Sequence, residues 1–250
     1  MRTTAHHSKP SHQPLLLPKA EILAGYLKSL DDKQIAKIMK IKPDLAVKTT
    51  RTIANWSTRP SEQVTAIDTF LGDIYSGLQV GSFSANDRQY ADRTLIILSG
   101  LYGLIRPLDG IRPYRLEMAY RLSGFTTTSL YQFWGDDIVK QLPASGTIMN
   151  LSSVEYSKVV TDYVDPSRVI SPRFLTMNPK TKEPTFVVVH AKIARGALAR
   201  WLIQNQVQDT KSLAGFNDLG YSYDTSLSTL SEPVFVCQDF KGLGLSVRLT

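Results

Sequence analysis

Cysteine and histidine are scarce in this chain of 250 residues, which contains one cysteine, Cys237, and four histidines. A lone cysteine can form neither an internal disulfide nor a multi-cysteine zinc site, so stability has to come from the core. No apolar run approaches the roughly 20 residues of a membrane-spanning helix, and Met1–Pro14 lacks the apolar stretch of a secretory signal. We therefore expect a cytoplasmic protein with no membrane partner.

Acidic residues are fewer than basic ones, with 22 Asp and Glu against 29 Lys and Arg and a formal net charge of +7. A basic surface attracts polyanions, because binding releases the counterions that surround them. The charge balance indicates nucleic acid as one class of partner. An acidic protein is a second class that composition leaves open.

Apolar residues recur at helical spacing in several segments. The predicted helices are 18–30, a short helix capped by Asp31, 43–56, 84–93, 129–142 and 191–206. Short apolar runs, often β-branched and bounded by turn residues, predict strands near 66–71, 95–98, 147–151, 169–175, 185–190 and 233–238.

Alternating strands and helices indicate a mixed α/β fold with one mixed sheet flanked by helices. Residues 1–17 are rich in Thr, His, Ser and Pro, and they predict a flexible N-terminal arm. No linker divides the rest, so 18–250 is predicted to form a single domain.

Six unusual segments follow one another between Ala66 and Tyr221: FLGDIYSGL, LSGLYGLIRPLDGIRPYRLEM, LYQFWG, NLSSVEY, AKIARGALAR and GFNDLGY. In this order they resemble the YaaA family of peroxide-stress-resistance proteins. The resemblance implies a protein of the hydrogen peroxide response that limits iron-driven damage to DNA. It also implies DNA binding through a basic cleft and a helix-hairpin-helix element, and the family carries no established enzymatic reaction.

The chain departs from the family pattern in three places. Ser8, Lys9 and Pro10 lie in the polar arm where relatives have an apolar strand and a lysine-containing turn. Ile193 stands where the late helix usually has a second lysine, and 241–250 differs from the family's ending. We expect the two termini to be atypical.

The segment LSGLYGLIRP supplies the predicted helix-hairpin-helix-like element, with Gly100 and Gly103 letting backbone amides approach a DNA phosphate. A tight turn packed in the core is the alternative for these two glycines. Downstream, the predicted phosphate contacts are Arg106, Arg112 and Arg115, whose planar forks can donate two bonds at once. Internal pairing with Asp109 or Glu117 is the competing explanation.

The late helix gives the strongest local pattern. At roughly 100° per residue, its apolar residues share one arc, and the opposite arc holds Lys192, Arg195, Gly196, Ala199 and Arg200. We predict DNA contacts from Lys192, Arg195 and Arg200, with Gly196 allowing close approach and the amides of the first turn adding to anion binding. An ordinary solvated basic face is the alternative.

The predicted partner is double-stranded or branched DNA, bound through its backbone. We predict no catalytic residue, metal ligand, cofactor or small-molecule substrate, and the sequence names no protein partner. The main alternative is a metal-dependent nuclease or phosphotransfer enzyme acting on nucleic acid. It would draw on carboxylates and a lysine, and its candidates are Asp73, Asp109, Glu117, Asp136, Glu155 and Lys192. Direct iron binding by His6, His7 and His12 of the arm is a weaker alternative.

Overall fold

A computed structural model describes Met1 and residues 9–242. The helices in this part of the chain are α1 (Leu17–Lys28), α2 (Asp32–Met39), α3 (Pro43–Ala54), α4 (Ala66–Thr69), α5 (Asp73–Leu78), α6 (Ala85–Thr94), α7 (Leu130–Trp134), α8 (Val154–Thr161) and α9 (Val188–Gln204). The strands are β1 (Val64–Thr65), β2 (Ile97–Ser99), β3 (Gly103–Ile105), β4 (Gly110–Ile111), β5 (Ile148–Met149), β6 (Val169–Ile170), β7 (Arg173–Met177), β8 (Pro184–Thr185), β9 (Tyr221–Tyr223) and β10 (Val234–Cys237).

The mixed α/β class is confirmed, but the described strands form several small sheets where one sheet was predicted. The largest has the order β8-β7-β10-β9 and is mixed, since β7 and β10 run parallel and the other neighbours antiparallel. The pairs β1–β4, β2–β3 and β5–β6 form two-stranded sheets. Most of these strands are only two or three residues long.

The described residues divide into two compact units. The first takes residues from Met1–Thr69, Leu95–Ala144 and Ser153–Val164. The second takes residues from Phe70–Thr94, Ser145–Ser152 and Asp165 onward. Each unit is thus assembled from three separate stretches of chain.

The helices α1 to α3 of the first unit form where the apolar spacing predicts them. Leu23, Leu27 and Ile35 of their apolar stripes are almost completely buried, while Ile22 is 57% exposed. Asp31 caps α2 as predicted, because its carboxylate accepts from the Gln34 backbone at 2.8 Å while the Gln34 side chain accepts from the Asp31 backbone at 2.9 Å. Local capping and burial therefore agree in this part of the fold.

The described part of the predicted arm is bonded to the first unit. The Ser11 backbone N–H donates to the Leu108 carbonyl at 2.9 Å, and the Gly110 N–H donates to the His12 carbonyl at 2.8 Å. Residues 2–8 of that arm lie outside the described residues. Ordered contacts thus begin upstream of Pro18, where the sequence predicted the domain to start.

The second unit is built around the four-stranded sheet and α9. Phe174 of β7 and Phe235 of β10 stack with ring centroids 5.2 Å apart, and Phe216 and Tyr221 meet Phe174 edge-on. Leu198 of α9 packs into the same fully buried cluster. Aromatic pairs of this geometry add about 0.5–1.5 kcal/mol each beyond area burial.

Three predictions of element type or length are wrong. The run 66–71 begins as helix α4, and the β-branched run 185–190 already starts α9 at Val188. Both are short apolar runs, in which strand and buried helix cannot be told apart by pattern. The predicted helix 129–142 ends after Trp134, because Gly135 takes a φ of 48°, a left-handed region that breaks the helical backbone.

Candidate nucleic-acid interface

Gly100 and Gly103 lie in a tight hairpin between β2 and β3, and both are buried. A Cβ atom on Gly100 would lie 2.4 Å from the Leu116 carbonyl oxygen. Gly103 has a φ of 72°, and a Cβ atom there would lie 2.8 Å from the Trp134 ring. Core packing accounts for both glycines, so the segment is a β-hairpin and the predicted helix-hairpin-helix element is not confirmed.

Arg106 is held by an internal ion pair in the first unit. Its Nη2 and Nε donate to Asp109 Oδ1 at 2.8 and 3.1 Å, and its backbone N–H donates to Asp109 Oδ2 at 2.8 Å. Asp109 has no exposed surface. Arg106 is therefore paired internally, which was the alternative to a DNA contact. Its guanidinium stabilises the fold through this pairing.

Arg112 is fixed by neutral groups. Its Nη1 donates to the Glu62 carbonyl at 2.8 Å and its Nη2 to the Asn55 carbonyl at 3.2 Å. Its backbone N–H donates to the hydroxyl of buried Tyr102 at 3.0 Å. The guanidinium lines a polar cavity of about 480 Å³ in the first unit.

Arg115 makes a looser contact than its neighbours. Its Nη2 lies 3.4 Å from Glu117 Oε1, and both side chains are more than 40 % exposed. The Nε atom of Arg115 is buried without a hydrogen-bond partner among the described residues. Exposed pairs at this distance contribute little, at most about 1 kcal/mol, so this guanidinium can still engage an external acceptor.

The arc of α9 that was predicted to be cationic is in part a second packed face. A Cβ atom on Gly196 would lie 1.8 Å from the Ile74 carbonyl oxygen of α5. Arg200 donates through Nη1 to the Gly77 carbonyl at 3.0 Å and through Nη2 to the Asp218 carboxylate. Gly196, which was predicted to give DNA room to approach, instead gives α5 room to pack. Arg200 is bonded to other residues of the second unit.

The start of α9 also changes the position of its basic residues. The helix begins at Val188, three residues before the predicted Ala191, so Lys192 and Arg195 stand in its second turn. The field of a helix terminus fades beyond the first turn. Contrary to the prediction, the free amides of the first turn therefore do not add to anion binding at these two side chains.

Lys192 and Arg195 lie on the remaining face of α9, about 60° apart around the helix axis. Lys192 is exposed and Arg195 is half-buried. Burial lowers the pKa of Arg195 from its usual value, and its Nε atom is buried without a hydrogen-bond partner among the described residues. None of the described carboxylates forms an ion pair with it. This is the least compensated cation of the predicted set.

A family model described as peroxide stress protein YaaA matches residues 1–227. The chain belongs to this family. Among its relatives, a UPF0246 protein of Salinispora tropica is 53% identical over 235 residues, covering 94% of this chain and 89% of the relative. UPF0246 proteins of Marinomonas sp. and Roseobacter denitrificans are 40% and 38% identical, over 89% and 93% of this chain and 87% and 93% of their own.

Membership of the YaaA family confirms the resemblance carried by the six segments and a link to peroxide stress. Within Met1 and 9–242, no helix is long and apolar enough to cross a membrane. The same residues contain no group of three or more His, Cys, Asp or Glu side chains arranged to hold a metal ion. Ile193, which stands where the family usually has a lysine, is a buried residue of α9. Its carbonyl faces Gly77.

Two groups of residues in this YaaA-family chain come together only in the folded structure. In the second unit, Thr176 Oγ1 lies 3.0 Å from His190 Nδ1 and 3.3 Å from the Tyr221 hydroxyl, and His190 stacks on Phe240. In the first unit, Lys28 and Arg59 line the cavity that also contains Arg112. Their positions are far apart in the sequence, so no local pattern could have grouped them.

Proposed function

We propose that this member of the YaaA family binds DNA through the phosphate backbone, with Lys192 and Arg195 of α9 as the principal contacts, and so limits iron-driven damage during peroxide stress. The observation that carries the proposal is Arg195. Its guanidinium is partly stripped of water, and no carboxylate of the described residues compensates its charge. A DNA phosphate bound by this guanidinium would supply the missing negative charge.

A half-buried cation without a counter-charge costs free energy in the isolated protein. Binding an anion there recovers part of that cost, and arginine can donate two parallel bonds to one phosphate. Exposed Lys192 adds a second charge close by, and the formal net charge of +7 attracts DNA from a distance. These contacts bind the phosphate backbone of DNA and do not distinguish one base sequence from another.

The contact set is narrower than the sequence suggested. Arg106 and Arg200 are already paired with carboxylates, and Gly100 and Gly103 are buried. Arg115 of the first unit stays in the set as a secondary contact. Its side chain is 41% exposed and its contact with Glu117 is loose at 3.4 Å, so its guanidinium can also bind a phosphate.

Fluorescence anisotropy with labelled duplex, bubble and four-way-junction DNA tests the proposal across a salt series. The variant Lys192→Ala/Arg195→Ala should weaken binding by about tenfold or more and reduce the salt slope by about two, one for each lost phosphate contact. The matched control is Lys33→Ala/Lys37→Ala, which removes the same charge from exposed positions of α2.

Equal losses in both variants would mean that DNA binding follows net charge alone and would refute the assignment to α9. Absence of binding by the folded wild-type protein would refute DNA binding altogether. Incubation of the same labelled DNA with Mg²⁺ checks the nuclease alternative, which requires cleavage that depends on the metal.

A further inference from the structure

A cavity of about 480 Å³ in the first unit is lined by none of the residues that we propose to contact DNA. It is lined mainly by polar side chains from the end of α1, the loop after α3 and the segment after β4. The lining residues are Lys28, Ala54, Asn55, Trp56, Ser57, Arg59, Glu62 and Arg112. Its volume falls within the roughly 300–1,000 Å³ of small-molecule sites.

The cavity carries an excess of positive charge. Three cations, Lys28, Arg59 and Arg112, face one carboxylate, Glu62, which leaves two positive charges. The Ser57 hydroxyl, together with Arg59 and Arg112, holds the pKa of Glu62 below its usual value, so this carboxylate is ionised at neutral pH. It is already engaged, accepting from Ser57 at 2.6 Å and from Arg59 at 2.7 Å.

Arg112 is held in position by the protein itself, without a ligand. The carbonyls of Glu62 and Asn55 accept from two different nitrogens of the Arg112 guanidinium, which fixes its plane. Carbonyls are neutral, so they orient the guanidinium without cancelling its charge. Three of its five N–H donors remain for another acceptor.

A buried tyrosine fixes the wall of the cavity. The Tyr102 hydroxyl accepts from Trp56 Nε1 at 2.7 Å and from the Arg112 backbone N–H at 3.0 Å, and only 1% of this tyrosine is exposed. Lys28 Nζ donates to the Trp56 carbonyl at 2.7 Å and lies 5.7 Å from the Trp56 ring centroid. Backbone and side chains around the cations are therefore locked together, as preorganised binding requires.

We propose that this cavity is a binding site for the phosphate group of a phosphate ester of about nucleotide size. Arg112 and Arg59 donate to the phosphate oxygens, and Lys28 contributes a third positive charge. A phosphate dianion matches the two excess charges, and a planar guanidinium matches its oxygen geometry. The volume accommodates the body of the ligand as well as the phosphate.

The test is isothermal titration calorimetry with AMP, inorganic phosphate and, as the uncharged control, adenosine. Wild-type protein should bind AMP and phosphate saturably at one site and adenosine at least tenfold more weakly. The variant Lys28→Gln/Arg59→Gln should weaken AMP binding by about tenfold or more, as expected when charge-assisted hydrogen bonds are lost. Circular dichroism verifies that it is folded, and both altered side chains are largely exposed in the native protein.

The matched control is Lys48→Gln/Arg51→Gln, which removes one lysine and one arginine from exposed positions of α3 outside the cavity. It should bind AMP like the wild type. Equal weakening in both double variants, or no saturable binding of AMP and phosphate, would overturn the proposal. Lys192→Ala/Arg195→Ala should leave AMP binding unchanged. The proposal for this cavity and the proposal for DNA contact are therefore tested independently.

A labelled 12-base-pair duplex distinguishes the source of the phosphate. If the duplex binds Lys28→Gln/Arg59→Gln as tightly as wild type while AMP binding is lost, the ligand is a free phosphate ester. If duplex binding falls and AMP never binds, the cavity is part of the DNA surface, and the small-ligand proposal is refuted.

Discussion

Gly196→Ala should destabilise the protein, although alanine is the better helix former. Gly196 lies inside α9, and a Cβ atom there would come within 1.8 Å of the Ile74 carbonyl oxygen and 2.7 Å of the Leu78 backbone nitrogen. Ordinary contact between nonbonded heavy atoms is about 3.5 Å, so α5 would have to retreat by ~1.7 Å. The obstacles are backbone atoms, which cannot rotate away as a side chain would.

The size of the effect follows from two opposed contributions. Alanine gains about 1 kcal/mol over glycine in a helix interior. Overpacking a tight contact typically costs about 1–3 kcal/mol, and more when backbone has to shift. Because the displaced element is a whole helix, we expect a net loss of about 2 kcal/mol in the free energy of unfolding.

Gly25→Ala is the matched control. Gly25 lies in the interior of α1, and an added Cβ atom would meet nothing within 4 Å. The same chemical change should therefore stabilise the protein by about 0.5–1 kcal/mol. Urea unfolding followed by circular dichroism measures both variants. A neutral or stabilising Gly196→Ala would refute the close packing of α5 on α9.

Three further predictions concern ionisable groups. Arg106→Ala should lower the free energy of unfolding in urea by about 3 kcal/mol, because it deprives fully buried Asp109 of its arginine; a loss below about 1 kcal/mol would contradict that pairing. Burial raises the pKa values of Tyr102 and Tyr221 to about 12. Their contribution to stability should be complete below pH 10 and lost as the pH rises to about 12. Absorbance titration of tyrosinate checks this, and two fewer late-titrating tyrosines are expected in the double phenylalanine variant. Burial lowers the pKa of His190 from 6.5. Its contribution to the free energy of unfolding is therefore complete above pH 6.5 and is lost as the pH falls through the lowered pKa. An NMR titration midpoint at or above 6.5 would contradict this direction.

The sequence predicted elements that are specified locally. The apolar spacing of α1 to α3 and the Asp31 cap are properties of a few neighbouring residues, and the same is true of Ser84, whose hydroxyl and backbone bond to Asp87 at the start of α6. The start of α9 could not be predicted in this way. The run 187–189 consists of valines, which favour strands, and tertiary packing overrides that weak preference.

The candidate site was less predictable than the fold, because charge pairing depends on partners that are distant in the sequence. Arg106 and Arg195 look equivalent in the sequence, yet one is bonded to a buried carboxylate and the other has no such partner among the described residues. Gly196 was predicted to let DNA approach α9 closely, but in the structure its missing side chain leaves room for another helix. What approaches is α5, more than 100 residues earlier in the chain, and no local pattern carries that information.

The contact between α5 and α9 also sets the order in which the protein can be built. A helix of six residues such as α5 is not stable alone in water, because too few hydrogen bonds offset the cost of its first turn. Its partner lies 123 residues downstream, as measured between Gly77 and Arg200. During synthesis the early stretch of the second unit must therefore wait for α9 to leave the ribosome. Contacts of such sequence separation slow folding, so α5 stays without its packing partner while the chain is incomplete.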